Sequence, residues 1–196
     1  MTRYVVLSGN IGAGKTTVAR LVAAQMNALL VEEPVALWQQ SGMLALLVTN
    51  DNSIDFAFQM FALASRVAAL KVAVKLYSMK HGAPPDIVVL DRWLPDDKAF
   101  AALALTPTAM ANYMRFYALI AELNNIPIAL TIWLDVPPAV CAARIRSRGR
   151  PEEAHITLAY LEAIDARKHE IAIKSENERP AVETAAAIIA FIEDTV

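Results

Sequence analysis

The segment 4–27 constrains the fold more than any other part of the chain. It opens with the run YVVL, whose apolar and β-prone residues predict a buried strand, and it ends in an amphipathic helical pattern. Between the two, Gly9, Gly14, Lys15 and Thr16 match G-x-x-x-x-G-K-[ST], the pattern of a phosphate-binding loop. The pattern lies in the strand–turn–helix context that it requires, so the segment predicts a nucleotide site.

Each residue type in this loop has a physical role. Glycines lack a Cβ atom, so consecutive backbone N–H groups can turn toward an anion, and the helix N-terminus adds partial positive charge. Lys15 is expected to reach the outer phosphates, and the Thr16 hydroxyl is expected to coordinate Mg²⁺. The predicted ATP-binding residues are Gly9, Asn10, Ile11, Gly12, Ala13, Gly14, Lys15, Thr16 and Thr17.

Strand and helix patterns alternate along the rest of the chain. Helical patterns, the longest at about 53–77 and 108–123, separate the strand patterns. Such alternation predicts an α/β fold with a five-stranded parallel sheet flanked by helices. Because no repeat or linker is visible, we expect one domain over 1–196. The predicted strands are 4–7, 29–32, 87–90, 129–134 and 171–173.

Composition narrows the possible partners. The net charge of −2 gives no field that would attract nucleic acid or an anionic membrane. Apolar residues make up 56% of the chain, but charged residues such as Arg66 and Lys71 interrupt the long apolar runs, so no membrane span is expected. The apolar excess favours a homodimer interface. The single cysteine, Cys141, and a first strand near residue 4 favour a cytoplasmic protein without a signal peptide.

Charged residues at the predicted strand ends are candidates for chemistry. Asp91 follows the strand 87–90 and should face Thr16 and Mg²⁺, although it could instead cap a helix. Glu33 ends the second strand, where it could act as a general base or be a surface acid. The arginine run 144–150 could stabilise a transferring phosphoryl group, or it could be a solvated helix end.

In their order and spacing these motifs resemble the deoxynucleoside kinase family, which includes deoxycytidine, deoxyguanosine and deoxyadenosine kinases and related viral thymidine kinases. The matching pieces are GNIGAGKTT at 9–17, EPV at 33–35, FQ at 58–59, DR at 91–92 and RGRPEE at 148–153, followed by YLE at 160–162 and HE at 169–170. The resemblance implies a P-loop kinase fold with an arginine-rich lid at about 144–155. It also implies that ATP, with Mg²⁺, phosphorylates the 5′-hydroxyl of a deoxyribonucleoside. If the protein is viral, the expected location is the host cytoplasm.

The resemblance also implies roles for single residues. Glu33 resembles the base that activates the 5′-hydroxyl, Gln59 the amide that reads the nucleobase, and Glu153 the lid acid that holds the sugar 3′-hydroxyl. The implied catalytic residues are Lys15, Glu33, Arg92, Arg144, Arg148 and Arg150. The implied substrate-binding residues are Glu33, Trp38, Phe58, Gln59, Arg66, Arg92, Asp97 and Glu153, and the implied metal-binding residues are Thr16 and Asp91.

Arg66 and Asp97 bear on the choice of base. A primary amide such as Gln59 can pair with cytosine, adenine or thymine, depending on its orientation. Arg66 and Asp97 resemble the Arg–Asp pair of the deoxycytidine, deoxyguanosine and deoxyadenosine branch. A fixed ion pair would favour an exocyclic amino group and crowd a 5-methyl group, so we expect deoxycytidine or a deoxypurine to be preferred over thymidine. The alternative is a structural pair at the surface.

Two positions depart from the family pattern. Trp93 stands where relatives usually have Ser or His, and Val48 stands where a tyrosine would contact the sugar. Both departures leave thymidine and ribonucleosides open as substrates.

Two rival functions also remain open. The first is a thymidine kinase or a thymidylate (nucleoside monophosphate) kinase. The monophosphate kinase family shows a similar acid–proline pair, usually with arginine before it and glycines after it. Glu32 and Val35 stand there instead, which favours a nucleoside as substrate. A non-catalytic nucleotide-binding assembly subunit is the rival from another class, and the intact Lys15, Glu33 and Arg92 argue against it.

Overall fold

The computed structural model describes residues 1–46, 52–167, 173–176 and 181–195. Five parallel strands in these ranges form one sheet, in the order β2-β3-β1-β4-β5 given by their hydrogen bonds. Of the last predicted strand, 171–173, only residue 173 lies within the described residues, and it is in a strand. The strands are β1 (Arg3–Gly9), β2 (Leu29–Val31), β3 (Ile87–Asp91), β4 (Ile128–Asp135) and β5 (Ile173–Glu176).

Helices connect the strands, and several begin where the sequence offers a suitable first turn. Three of them carry proline in that turn, where a missing N–H costs nothing. The Thr106 and Thr157 hydroxyls cap two helix N-termini by accepting backbone N–H groups. The helices are α1 (Lys15–Gln25), α2 (Val35–Gln40), α3 (Met43–Leu46), α4 (Asn52–His81), α5 (Leu94–Ala104), α6 (Pro107–Leu123), α7 (Pro138–Arg148), α8 (Leu158–Asp165) and α9 (Ala181–Thr195), with a 3₁₀ turn at Pro151–Glu153.

The sheet is covered on both faces, as a parallel sheet requires. Val5 and Leu7 of β1 point into a core formed with α1, α7, α8 and α9. Val6, between them, points into a second core formed with α4, α5 and α6. This alternation explains why the first strand reads as a continuous apolar run. The predicted α/β fold with a parallel sheet flanked by helices is confirmed.

Helix α4 is long and apolar because it lies against the sheet. Its predicted apolar stripe is present, and Leu63, Val67 and Leu70 are buried in the second core. One window of Asp55–His81 has a mean hydropathy of 1.4 and would be long and apolar enough to cross a membrane; 44% of that window is buried in the protein. Packing within the protein, including β2 and α6, therefore accounts for the buried part of this apolar window.

The strand order sets the position of the site. Strands β2, β3 and β1 are neighbours and run in the same direction, so their carboxyl ends meet at one edge of the sheet. Gly9 is the last residue of β1, Arg92 directly follows β3, and Glu33 lies two residues beyond the end of β2. Functional groups of open parallel sheets gather at this edge.

Candidate active site

The phosphate loop joins β1 to α1 and is fixed from several sides. Gly12 and Gly14 have φ values of 81° and 94°, which side chains with a Cβ rarely adopt. The Asn10 side chain donates to the Leu161 carbonyl at 2.8 Å and accepts from the Ile11 amide at 2.9 Å, so α8 helps to hold the loop. These contacts hold the loop between β1 and α8.

Lys15 lies over this loop. Its ammonium group donates to the Asn10 carbonyl at 2.7 Å, and the side chain is buried. Burial, together with the charge of Arg92, lowers the pKa of Lys15 to about 8. A phosphate group would provide the negative partner that the buried amine needs.

Thr16 and Asp91 form a candidate metal site. The Thr16 hydroxyl donates to Asp91 Oδ2 at 2.5 Å, while the buried Oδ1 has no hydrogen-bond partner among the described residues. Mg²⁺ prefers hard oxygen ligands and uses one or two protein groups beside phosphates and water, so these residues fit it. The alternative of Asp91 as a helix cap is wrong, because α5 begins only after Trp93.

Glu33 is held by two arginines. Its Oε2 accepts from Arg92 at 2.7 Å, and its Oε1 accepts from Arg66 at 2.9 Å. Burial alone would raise the pKa of Glu33, but the charges of these arginines outweigh it and lower the pKa to about 2. Only 15% of the side chain is exposed, so the alternative of a surface acid is wrong.

Arg66 links three elements of the site. Its guanidinium donates to both carboxylate oxygens of Asp97 at 2.8 and 3.0 Å, and to the Asp91 carbonyl at 3.2 Å, in addition to Glu33. Burial raises the pKa of Asp97 even though Arg66 opposes the shift. Arg66 and Asp97 are 4% and 3% exposed, so the alternative of a surface pair is wrong.

The predicted base-reading residues lie beside this ion pair. Gln59 and Arg66 are two turns apart on α4 and therefore share a face. Trp38 packs edge-on against Phe58, with ring centroids 5.6 Å apart, and its indole N–H donates to Ser65 at 2.9 Å. These residues are buried, and the Arg66 guanidinium lies 5.7 Å from the Trp38 ring centroid, so the structure places one of the predicted aromatic walls beside Arg66.

The predicted lid, 144–155, comprises the end of α7 and the turn after it. Arg144 donates to the Ala13 carbonyl in the phosphate loop at 3.1 Å. Arg148 and Arg150 instead contact Glu153, at 2.6 and 3.4 Å, and Gln39 of α2 donates to Glu152. Most of the segment is exposed, as expected of a solvated helix end, but Arg144 reaches the loop. Among the described residues, Glu153 has no contact with Glu33.

Part of the predicted pattern lies outside the described residues. Val48, where the family would have a tyrosine, and His169 and Glu170 of the last matching piece are in the ranges that the structure does not describe. The departure at Trp93 is described: this side chain is 5% exposed and belongs to the core beside α5.

The sequence reasoning missed a buried carboxylate, Asp96, and its partner Ser8. The Ser8 hydroxyl donates to Asp96 Oδ2 at 2.8 Å, between residues 88 positions apart. The one available signal was local: Asp96 occupies the acidic position of a capping box at the start of α5 and accepts from the Trp93 amide. Nothing local indicated that the same carboxylate faces Arg92.

A cavity of about 240 Å³ lies beside the phosphate loop, next to Gly14 and Thr17. It is bounded by the start of α1, the end of β4 and the first turns of α9. The lining residues include Gly14, Thr17, Leu134, Arg144 and Thr184.

The fold and the site together define a P-loop phosphotransferase. A family model described as deoxynucleoside kinase matches residues 5–194. The chain is 30% identical to deoxycytidine kinase 2 of Gallus gallus over 193 residues, covering 86% of this chain and 72% of that protein. It is 28% identical to deoxyguanosine kinase of Bacillus subtilis over 175 residues, covering 89% and 80%. The chain belongs to the deoxynucleoside kinase family and is therefore an enzyme that phosphorylates nucleosides.

A solved structure supports the same fold. Deoxyadenosine kinase from M. mycoides superposes with a TM-score of 0.79 at 20% identity, covering 97% of this chain and 99% of that one. The P-loop kinase fold predicted from the resemblance is confirmed, as is the predicted family.

Proposed function

We propose that the protein transfers the γ-phosphoryl group of ATP to the 5′-hydroxyl of a deoxyribonucleoside, with Mg²⁺ as cofactor. One observation carries this proposal: the carboxylate of Glu33 is held by Arg92, whose guanidinium also donates to the Gly9 carbonyl at 3.1 Å. A hydroxyl that binds Glu33 would thus lie close to phosphates bound by the loop. This is the arrangement that in-line transfer needs.

The residues would divide the work as follows. The loop amides, Lys15 and Arg144 would bind the phosphates, and Thr16 and Asp91 would hold the metal, which when bound neutralises charge on the phosphate oxygens. Glu33 is ionised at neutral pH and would orient the 5′-hydroxyl and accept its proton. A loose phosphoryl-transfer transition state requires little basicity from this carboxylate, so its low pKa does not prevent it from accepting the proton.

The donor nucleotide has room beside the loop. The cavity next to Gly14 and Thr17 opens at the start of α1, where phosphates would bind. Its apolar wall at Leu134 and its polar group at Thr184 suit a planar heterocycle. We therefore assign the donor base to this cavity.

The lid would complete the site when substrates bind. Arg148 and Arg150 now pair with Glu153, so phosphates and a sugar hydroxyl would compete for these groups. We propose that closure moves the arginines to the phosphoryl group and Glu153 to the 3′-hydroxyl, which would exclude water from the reaction.

The acceptor that we infer is deoxycytidine or a deoxypurine. The buried ion pair of Arg66 and Asp97 is fixed by two hydrogen bonds, so it presents a rigid polar edge beside Gln59. Such an edge suits an exocyclic amino group and disfavours a 5-methyl group. Relatives named as deoxycytidine and deoxyguanosine kinases support this preference.

A substrate panel tests the proposal. With ATP and Mg²⁺, we expect kcat/KM for deoxycytidine or a deoxypurine to exceed that for thymidine by about 10-fold or more, the range of one well-placed polar contact. Thymidine and its monophosphate are assayed side by side, because a nucleoside monophosphate kinase would act on the latter. Equal or faster turnover of thymidine would refute the preference. If the protein phosphorylated only the monophosphate, the proposal that a nucleoside is the acceptor would be wrong.

We also propose a homodimer formed through α4 and α6. These neighbouring helices expose large apolar residues, and an interface would cover them. A cytoplasmic location remains a prediction. The exposed residues are Val72, Leu76, Met79, Phe116, Leu119 and Leu123.

Sedimentation velocity tests this interface. Leu119→Glu should shift the protein from dimer to monomer, because a charge at an apolar interface must be desolvated. Val182→Glu is the matched control: Val182 is 61% exposed, against 57% for Leu119, but it lies on α9. A wild-type monomer, or equal dissociation of both variants, would contradict the proposed interface.

A further inference from the structure

Asp96 is a buried carboxylate with no role in the site described so far. It is 1% exposed and lies in the first turn of α5. The Ser8 hydroxyl and the Trp93 amide both donate to Oδ2, at 2.8 and 3.2 Å. The other oxygen, Oδ1, lies 3.9 Å from Nε of Arg92.

Arg92 has a strained backbone, and only part of its guanidinium makes hydrogen bonds to the described residues. Its φ of 68° places a bulky residue in the left-handed region, which is strained for any residue with a Cβ. Its terminal nitrogens donate to Glu33 and Gly9, and its guanidinium lies 4.9 Å from the ring centroid of Phe100. Its Nε is buried and makes no hydrogen bond to any described residue, and the Asp96 carboxylate lies 3.9 Å from it.

We propose that Asp96 is a positioning residue whose carboxylate, held by Ser8, keeps the Arg92 guanidinium between Glu33 and the first glycine of the phosphate loop. This inference rests on the proposed function, in which Glu33 must turn to the nucleoside hydroxyl. At that moment Arg92 loses part of its hold on Glu33. The charge of Asp96 then keeps the guanidinium in place for the phosphoryl group.

Asp96 is expected to change its protonation state at a different pH from Glu33 and Lys15. Burial raises its pKa to about 6, although Arg92 and the Ser8 hydrogen bond oppose the shift. Glu33 stays ionised far below this pH, and Lys15 loses its proton only near pH 8. The charged or titratable groups that interact with Asp96 from other elements are Lys15 on α1, Arg66 on α4, Arg92 before α5 and Tyr117 on α6.

Asp96→Asn isolates the charge. Both hydrogen bonds use Oδ2, so an asparagine oxygen at that position can keep both while the negative charge is lost. We expect kcat at pH 7, where Asp96 is mostly ionised and Lys15 mostly protonated, to fall about 10- to 100-fold, the cost of misplacing a catalytic group by about 1 Å, while KM changes less than about 3-fold. Wild-type kcat should fall as the pH drops through about 6. The variant should show no such limb, and its deficit relative to wild type should shrink as the pH falls below 6.

Ser8→Ala is the second variant. It keeps the carboxylate but removes a hydrogen bond to its charged form, so the acid limb should move to higher pH. Thermal unfolding at pH 8 checks the fold of Asp96→Asn, which should melt no lower than wild type because burial penalises the ionised carboxyl.

Three results would overturn the proposal. They are unchanged kcat in Asp96→Asn at pH 7, a fall in kcat near pH 6 that persists in that variant, and a fall in kcat of Ser8→Ala at the same pH as in wild type. If Asp96→Asn fails to fold, the pH at which kcat of Ser8→Ala falls, compared with wild type, decides whether the proposal holds. The assay uses whichever nucleoside and donor wild type turns over, so a wrong base preference would not affect the result.

Discussion

Replacing Glu33 with glutamine should lower kcat by about 10³-fold and leave the nucleoside Kd within a few-fold of wild type. Glutamine keeps an oxygen that can accept from Arg92 at the position where Oε2 now lies, 2.7 Å away. It cannot accept a proton from the 5′-hydroxyl at neutral pH. The nucleobase contacts on α4 remain intact, so kcat should fall while the affinity for the nucleoside is retained. Steady-state kinetics with the preferred nucleoside and calorimetric titration of the same nucleoside measure the two effects.

The neighbouring carboxylate supplies the matched control. Glu32 pairs with Arg20 at the surface and points away from Arg92, so Glu32→Gln should keep kcat near wild type. An exposed pair of this kind contributes little to stability. If Glu33→Gln turned over at the wild-type rate, Glu33 would not be the base. If both variants lost activity equally, the effect would not be specific to the site.

The sequence predicted the part of the site that local rules determine. The loop at 9–17 follows from glycine spacing, and the strands before Glu33 and Asp91 follow from short apolar runs. Because parallel strands end at a common edge, their following residues converge, and the observed order β2-β3-β1 makes them neighbours. The hydrogen bond between Thr16 and Asp91 is the direct result.

The pairing of charges was harder to predict, because it depends on how each helix is rotated in the fold. Whether Arg66 faces solvent or the site is set by the packing of α4 on the sheet, which buries it at 4% exposure. A sequence cannot show that one guanidinium contacts both Glu33 and Asp97. The same holds for Ser8 and Asp96, which are distant in the sequence and meet only when α5 packs beside β1.

The lid is a further case in which the sequence predicted residues but not their contacts. Arg148 and Glu153 are close in the sequence, and a pair at this spacing forms locally through the turn after α7. In the structure Glu153 pairs with arginines, whereas the resemblance implies that it binds the sugar 3′-hydroxyl. The predicted sugar contact requires this pair to separate, and it remains a prediction.

The second large effect that we expect is at Gly12. An added Cβ would lie 2.7 Å from the Cys141 carbonyl oxygen and 3.0 Å from Ile145 Cγ1, both on α7, and the φ of +81° would strain any residue other than glycine. The backbone carbonyl cannot rotate away, so α7 would have to move. Gly12→Ala should therefore lower the free energy of unfolding by about 3 kcal/mol, a value in the range of severe single substitutions.

The same displacement should weaken nucleotide binding. Arg144 on α7 donates to the Ala13 carbonyl and lines the cavity beside the loop, so moving α7 away from the loop disturbs both. We expect the Kd for ATP to rise by about 10-fold or more, the equivalent of about 1.4 kcal/mol. Urea unfolding and titration with a fluorescent ATP analogue measure the two losses in the same preparation.

Gly82→Ala separates strain from collision. Gly82 follows α4 with a φ of +76°, close to that of Gly12, but an added Cβ there would meet no atom within 4 Å. Gly82→Ala should lower the free energy of unfolding by about 1 kcal/mol, the cost of a left-handed backbone at a residue with a Cβ atom. ATP binding should not change. The excess loss in Gly12→Ala then measures the contact between α7 and the loop. Equal losses in the two variants would mean that α7 yields freely and does not fix the phosphate loop.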